Sequence, residues 1–224
     1  MTKLSLISLS TLLFVSTLSA APSVEQITVI QAGQLLDKPG SAPRGPSTVI
    51  IRNGKISEVM AGHQSGPAGA TLIDLKDKFV LPGLIDSHVH LDSDAGGNAG
   101  LIEVLTDSPA RAAFRAAGNA KKTVMAGFTT VRNLGDETGA TLALRDAIAA
   151  GELPGPRIID AGDGISTTSG HADATLSLSE DLHASINQEN LCDGVDSCRR
   201  AVRLQVRRGV DVIKINTTAG VNSR

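Results

Sequence analysis

From Phe79 onward the sequence alternates short β-branched runs with Ala- or Arg-rich helical stretches, joined by brief Gly- and Pro-marked connections. "LIDSHVHL" (84–91) reads as a strand. "SPARAAFRAAGNAKKTVMAG" reads as a helix, with Ser108 at its N-cap, Pro109 in its first turn and Gly127 at its stop. "FTTVRNLG" and "PRIIDAG" are further strands, separated by the helix "GATLALRDAIAAG", which ends at Gly151. "DSCRRAVRLQVRRG" is a third helix, with Asp196 as N-cap and Gly209 as C-cap, and "DVIKINTT" is a fourth strand. Repetition of strand and helix with short connections means βαβ units and a parallel sheet.

Composition agrees with an α/β chain. The 224 residues include no Trp or Tyr, four Phe and 23 Gly, so the core must be aliphatic. The formal charge of −2 implies neither a nucleic-acid partner nor an anionic membrane surface. Five arginines fall between residues 199 and 208. Val202, Leu204 and Val206 interleave with them and no aromatics stand ready to stack bases. A solvated outer helix face explains them better than nucleic-acid binding.

Ahead of the α/β series lies a β-rich segment, residues 21–79, with the barrel-like part expected over 80–224. Asn53-Gly54 between "STVII" and "KISEVM" is a type I′ hairpin signal, and "DKPGSAPRGPS" (37–47) is a loop. The first 20 residues, "MTKLSLISLSTLLFVSTLSA", have the layout of a secretory signal peptide, with cleavage expected near Ala20 or Ala21. The run is short for a span, which takes about 20 predominantly apolar residues. Export to the periplasm or medium is the expectation, without a stable membrane span. In an oxidising compartment Cys192 and Cys198 can pair, and the turn at Asp193-Gly194 favours a local disulfide over two free thiols.

"GLIDSHVHLD" (83–92) carries the chemistry. Side chains at i and i+2 of a strand share a face. Asp86, His88, His90 and Asp92 therefore point one way, while Ile85, Val89 and Leu91 point the other, under a helix layer. Two imidazoles one pleat apart are close enough to ligate one divalent metal. A polar pair satisfied by hydrogen bonds at a strand end fits the same spacing. H-x-H alone does not decide between them.

Position does more. The pair falls near the C-terminal end of the first strand of a βα series, where parallel barrels and open sheets build their active sites. Taken with "VLPG" before it, "VLPGLIDSHVHL" resembles the first barrel strand of the metal-dependent amidohydrolase superfamily. "AGFTTVRNLG", "LRDAIAAGELPGPRII" and "CDGVDSCRRAVRLQVRRGVDVIKI" are similar to the imidazolonepropionase-related members that include Xaa-Pro and other Xaa-amino-acid dipeptidases. The resemblance runs from about residue 25 to the last residue. It implies the N-terminal part of a TIM-like (β/α)8 barrel, about four strands, behind a small composite β-sandwich unit.

The resemblance also implies a site. His88 and His90 would be metal ligands, and Lys214 would be carboxylated by CO2 to bridge two divalent metals, zinc being the expected identity. From the residues alone, Lys214 shares a strand face with Val212 and Asn216 at the barrel mouth, where a desolvated amine gives up its proton readily. A lysine snorkelling to solvent is the other reading. His171 in "ISTTSGHADAT" (165–175) matches the histidine of a "TGGHG"-like motif and is expected to line the substrate pocket rather than bind metal. Ser169, Ala172 and the "INTTAGV" stretch depart from the family pattern, which puts substrate preference in doubt. His63 and His183 are expected in surface loops.

The expected reaction is hydrolysis of the amide bond of a small peptide, Xaa-Pro or Xaa-amino acid, with homo-oligomerisation compatible with the sequence. Hydrolysis of a cyclic amide, lactone or phosphotriester by the same centre, and a non-catalytic metal-binding module, are the alternatives. A full barrel takes about 250 residues. The resemblance places two further histidine ligands on strands five and six and an aspartate on strand eight, so the chain is expected to be a fragment without its catalytic base, inactive alone.

Overall fold

The computed structural model describes residues 25–176 and 178–220. The expected signal segment, residues 1–20, lies outside them. The chain divides into two compact units at Pro82/Gly83.

The first unit is a four-stranded sheet of β1 (Ile27–Leu35), β2 (Ser47–Arg52), β3 (Lys55–Ala61) and β4 (Thr71–Val80), in the order β3-β2-β1-β4. The β2–β3 turn has Asn53 at φ 49° and Gly54 at φ 77°. Both central residues of a type I′ turn need positive φ, and Asn-Gly supplies that at low steric cost. β1 pairs antiparallel with β2 and parallel with β4. Its inward residues Ala32 and Leu35 meet Val49, with Ile30, Ile51, Val59 and Val80 around them.

The second unit opens with β5 (Leu84–Val89), followed by α1 (Gly97–Thr106), α2 (Pro109–Met125), β6 (Phe128–Asn133), α3 (Ala140–Ala149) and β7 (Arg157–Asp160). β5, β6 and β7 form a parallel sheet in that order. Then come β8 (Ile165–Ser166), α4 (Glu180–His183), α5 (Val195–Arg208) and β9 (Ile215–Asn216), with β9 parallel to β8.

Local chemistry sets most of these boundaries. The Ser108 side chain accepts a hydrogen bond from Arg111 N, Pro109 occupies the first turn of α2, and Gly127 follows the helix at φ 97°. Ala112, Ala116 and Ala120, spaced by four, present a smooth stripe to the sheet. Ala116 and Ala120 meet Leu91, Val131, Leu144 and Ile158 in the main core of this unit, and Val89 packs beside them. Leu91 is 3% exposed, but Ile85, expected on the same face, is 71% exposed. β5 is the edge strand of its sheet, and its register against β6 shifts between Leu84 and Ile85 and again between Asp86 and Val89, which breaks the alternation. Among the described residues no helix is long and apolar enough to cross a membrane.

Three local readings change. Asp196 is not the N-cap of α5; Gly194 is, and Asp196 lies in the first turn, paired with Arg199. "DVIKINTT" is a strand only at Ile215–Asn216, because β8, its one partner among the described residues, is two residues long. His183 closes the short α4 rather than lying in a loop. The two cysteines are joined, Cys192 to Cys198.

Candidate metal centre

His88 is the penultimate residue of β5 and His90 is the first after Val89. Their ring centroids are 5.4 Å apart with planes tilted by 53°. Both line a cavity of about 840 Å³ at the C-terminal end of the parallel strands, together with Asp92, Asp136, Asp163, His171 and Lys214. The alternation expected for this stretch thus delivers His88, His90 and Asp92 to one cavity, while Val89 and Leu91 go to the core.

The backbone orients His90. A Cβ on Gly135 would stand 2.9 Å from both Nδ1 and Cε1 of the ring, so only glycine allows this approach. The ring also hydrogen-bonds the Gly135 backbone. With the Nδ1 edge facing that backbone, Nε2 is the nitrogen left for a metal. Burial, then the charges of His88 and Lys214, push His90 below the ordinary imidazole value. Its neutral form, the form that ligates, is favoured at neutral pH.

Lys214 stands one residue before β9, half-buried, and lines the same cavity as Asn216. Its carbonyl accepts a hydrogen bond from Ile165 N at 2.9 Å. Ile213 packs against the cluster of Ile165, Cys192 and Ala201. Among the described residues no third His, Cys, Asp or Glu joins the histidine pair in a metal-binding cluster. Lys214 shares their cavity and its charge acts on His90.

The cavity is rich in buried acid. Asp163 is 4% exposed and its carboxyl is pushed up to about 7, first by burial and then by the charge of Glu137. Asp92 is likewise raised to about 7, by burial and by Asp136. Carboxylates that resist ionising together mark a site whose field a bound dication would relieve. On donor chemistry, then, neutral His90, its neighbour His88, Lys214 and this acidic surround fit divalent metal.

The Asp163 shift has a pH consequence. Its carboxyl, ordinarily near 3.8, holds its proton more tightly folded than unfolded, so stability falls as pH rises from about 4 to about 7. Thermal melts of the metal-free protein should show Tm falling across that window. Asp163→Asn should flatten the fall, raising Tm near pH 8 by roughly 2–4 °C per kcal/mol relieved while leaving it unchanged near pH 4. An identical profile in the variant would exclude Asp163 as the group.

His171 reaches the cavity from the loop after β8. A Cβ on Gly220 would lie 2.1 Å from its Nδ1 and 2.4 Å from its Cε1, so the ring rests directly on backbone there. His63 belongs to the first unit, where its Nε2 lies 3.0 Å from Ala32 O. Asn133 was not foreseen. Fully buried, its Oδ1 accepts from Leu91 N at 2.9 Å, and its Nδ2 donates to Gly135 O and Thr141 Oγ1, both at 3.1 Å. It ties together the two backbone segments flanking His90. Its place at the C-terminal end of β6 was the only sequence signal for it.

Comparison with known proteins follows the same lines. The amidohydrolase family matches residues 79–224. Ochratoxinase from Aspergillus niger is 30% identical over 220 residues, 92% of this chain and 45% of its own length. A solved Xaa-Pro dipeptidase with methionine bound in its active site superposes with a TM-score of 0.80 at 36% identity, over 88% of this chain and 48% of that one. A prolidase complexed with N-methylphosphonate-L-proline gives 0.74 at 33% identity, over the same shares of 88% and 48%. The chain spans about half the length of the relatives it matches.

Proposed function

The chain belongs to the amidohydrolase family, and from that premise we propose that the whole protein is an exported, metal-dependent dipeptidase cleaving the amide bond of Xaa-Pro or other Xaa-amino-acid substrates. The observation that carries this is the gathering of His88, His90, Lys214 and His171 around one cavity of about 840 Å³. That volume lies within the range of small-molecule sites. Likeness to an Xaa-Pro dipeptidase over most of the chain supports the substrate class.

His88 and His90 would hold one metal and Lys214, as its carbamate, would share it with a second. Zinc is the proposed identity. Such a centre supplies a water of lowered pKa and polarises the scissile carbonyl. This chain's residues do the rest of the work assigned to it. Gly135 and Asn133 hold the His90 ring so that its free nitrogen faces the cavity. His171 approaches the same space from the opposite loop and would contact the substrate. The two histidines and the aspartate that the resemblance implies would complete the ligand set and move the proton.

A second reading, left open by the likeness to an ochratoxinase, is hydrolysis of a cyclic amide, lactone or phosphotriester by the same centre. A panel of Xaa-Pro and Xaa-amino-acid dipeptides, run beside cyclic amides, lactones and phosphotriesters on the zinc-loaded whole protein, separates the two. The expected result is turnover confined to dipeptides. Turnover only of the other esters and amides moves the assignment to the second reading, and a protein that binds no metal and turns over nothing removes both.

A further inference from the structure

The segment between α4 and α5 is bound to the His171 loop more tightly than a connector needs to be. Asn190 is 5% exposed, and its Nδ2 donates to Gly164 O and to Ala172 O, each at 2.9 Å. Those two carbonyls bracket the loop that carries His171. The backbone repeats the grip. Ser166 N donates to Asn190 O at 3.2 Å, and Cys192 N donates to Ser166 O at 2.8 Å. Leu191 thereby makes a single parallel bridge to Ser166. One residue further, the Asp193 carboxylate accepts from Thr168 N at 3.0 Å and from the Thr168 hydroxyl.

The strap is itself anchored. The disulfide joins Cys192 to Cys198 in the first turns of α5, and Cys192 packs with Ile165 and Ala201. α5 therefore holds the strap, the strap holds the loop, and the loop presents His171 to the cavity. The bonds span both ends of the loop and cannot be explained by the fold of α5 alone. We propose that Asn190, braced by the Cys192–Cys198 disulfide, is a positioning residue that fixes His171 in the cavity and thereby sets substrate affinity. This rests on the dipeptidase reading for its kinetic consequence, but not for its structural one.

The structural arm uses the protein labelled with ¹³C-histidine. Asn190→Ala should shift or broaden the His171 ring signal and leave that of His63, in the other unit, in place. Reduction of the wild type by a phosphine should do the same, the disulfide becoming two thiols as the phosphine is oxidised to its oxide with oxygen from water. A His171 signal unmoved by both treatments overturns the proposal, whether or not the protein hydrolyses dipeptides.

The kinetic arm uses the zinc-loaded whole protein. Asn190→Ala should raise KM about tenfold, the scale of two lost hydrogen bonds, with kcat changed less than about threefold. In a His171→Ala background it should cost nothing further, because residues acting through one another are not additive. Losses that multiply across the two variants, or a KM unchanged by Asn190→Ala, overturn the positioning role. Asn190→Ser serves in place of the alanine variant where that one does not fold. A His171 signal that responds as expected in a protein without dipeptidase activity would retain the strap and remove the assigned function.

Discussion

Lys214→Ala is expected to lower kcat/KM of the whole protein by on the order of 10³-fold or more, because several kcal/mol of transition-state stabilisation leave with the metals. The expectation follows from what surrounds the pair of histidines. His88 and His90 line the cavity with Lys214, and no third His, Cys, Asp or Glu among the described residues clusters with them. An ammonium beside a dication is unfavourable, whereas a carbamate at the same place is an anionic oxygen donor. On the proposed centre, removing it should lower the metal content of the whole protein. Elemental analysis checks the metal and dipeptide hydrolysis checks the rate. Lys214→Glu, which restores an oxygen donor, should recover part of both, and His90→Ala should lose both. Full metal content and activity in Lys214→Ala would end the carbamate assignment.

Asn133→Ala should cost about 2–4 kcal/mol of stability, the largest effect expected from a residue that touches no metal or substrate. The side chain is fully buried and makes three hydrogen bonds, to Leu91 N, Gly135 O and Thr141 Oγ1. Truncation leaves these groups without partners in the interior, and each unsatisfied group costs about 1–3 kcal/mol before partial relaxation. Urea unfolding measures the loss. Leu91 and Gly135 flank the His90 ring in sequence and in space, so metal affinity should fall with it, by about 10–100-fold, as when the supports of a ligand are removed. A loss under about 1 kcal/mol with unchanged metal binding would show that the backbone holds His90 unaided.

Where the sequence was legible, the chemistry was local. Asn53-Gly54 needs no partner to demand positive φ, and Ser108-Pro109 needs none to begin a helix. Gly209, at φ 85°, ends α5 for the same reason. The alternation of 88–92 was legible because period two follows from the backbone alone, whereas Ile85, ahead of a register shift against β6, was misplaced. α1 was not. It starts on glycines with no side-chain cap, and it is held by Arg115 of α2, whose guanidinium reaches Glu103 and Asp107. Asp196 had the chemistry of an N-cap but not the place. Ser197 Oγ accepts from Asp193 N and donates to Gly194 O, which with the disulfide starts the helix at Val195.

The same division runs through the site. Sequence by itself pointed to residues that line one cavity, His88, His90, His171 and Lys214, because H-x-H at the end of a strand and a lysine in a βα series are readable one residue at a time and through their resemblance. It also determined that the core is aliphatic and the sheet parallel. Only the tertiary structure decided how those residues are held. Gly135 passes under the His90 ring, Asn133 bridges two strand ends, Gly220 leaves room for His171, and Asn190 clasps the loop beneath it. Each is a contact between segments distant in the chain, made or lost over a few tenths of an ångström. No local propensity encodes such distances; packing does.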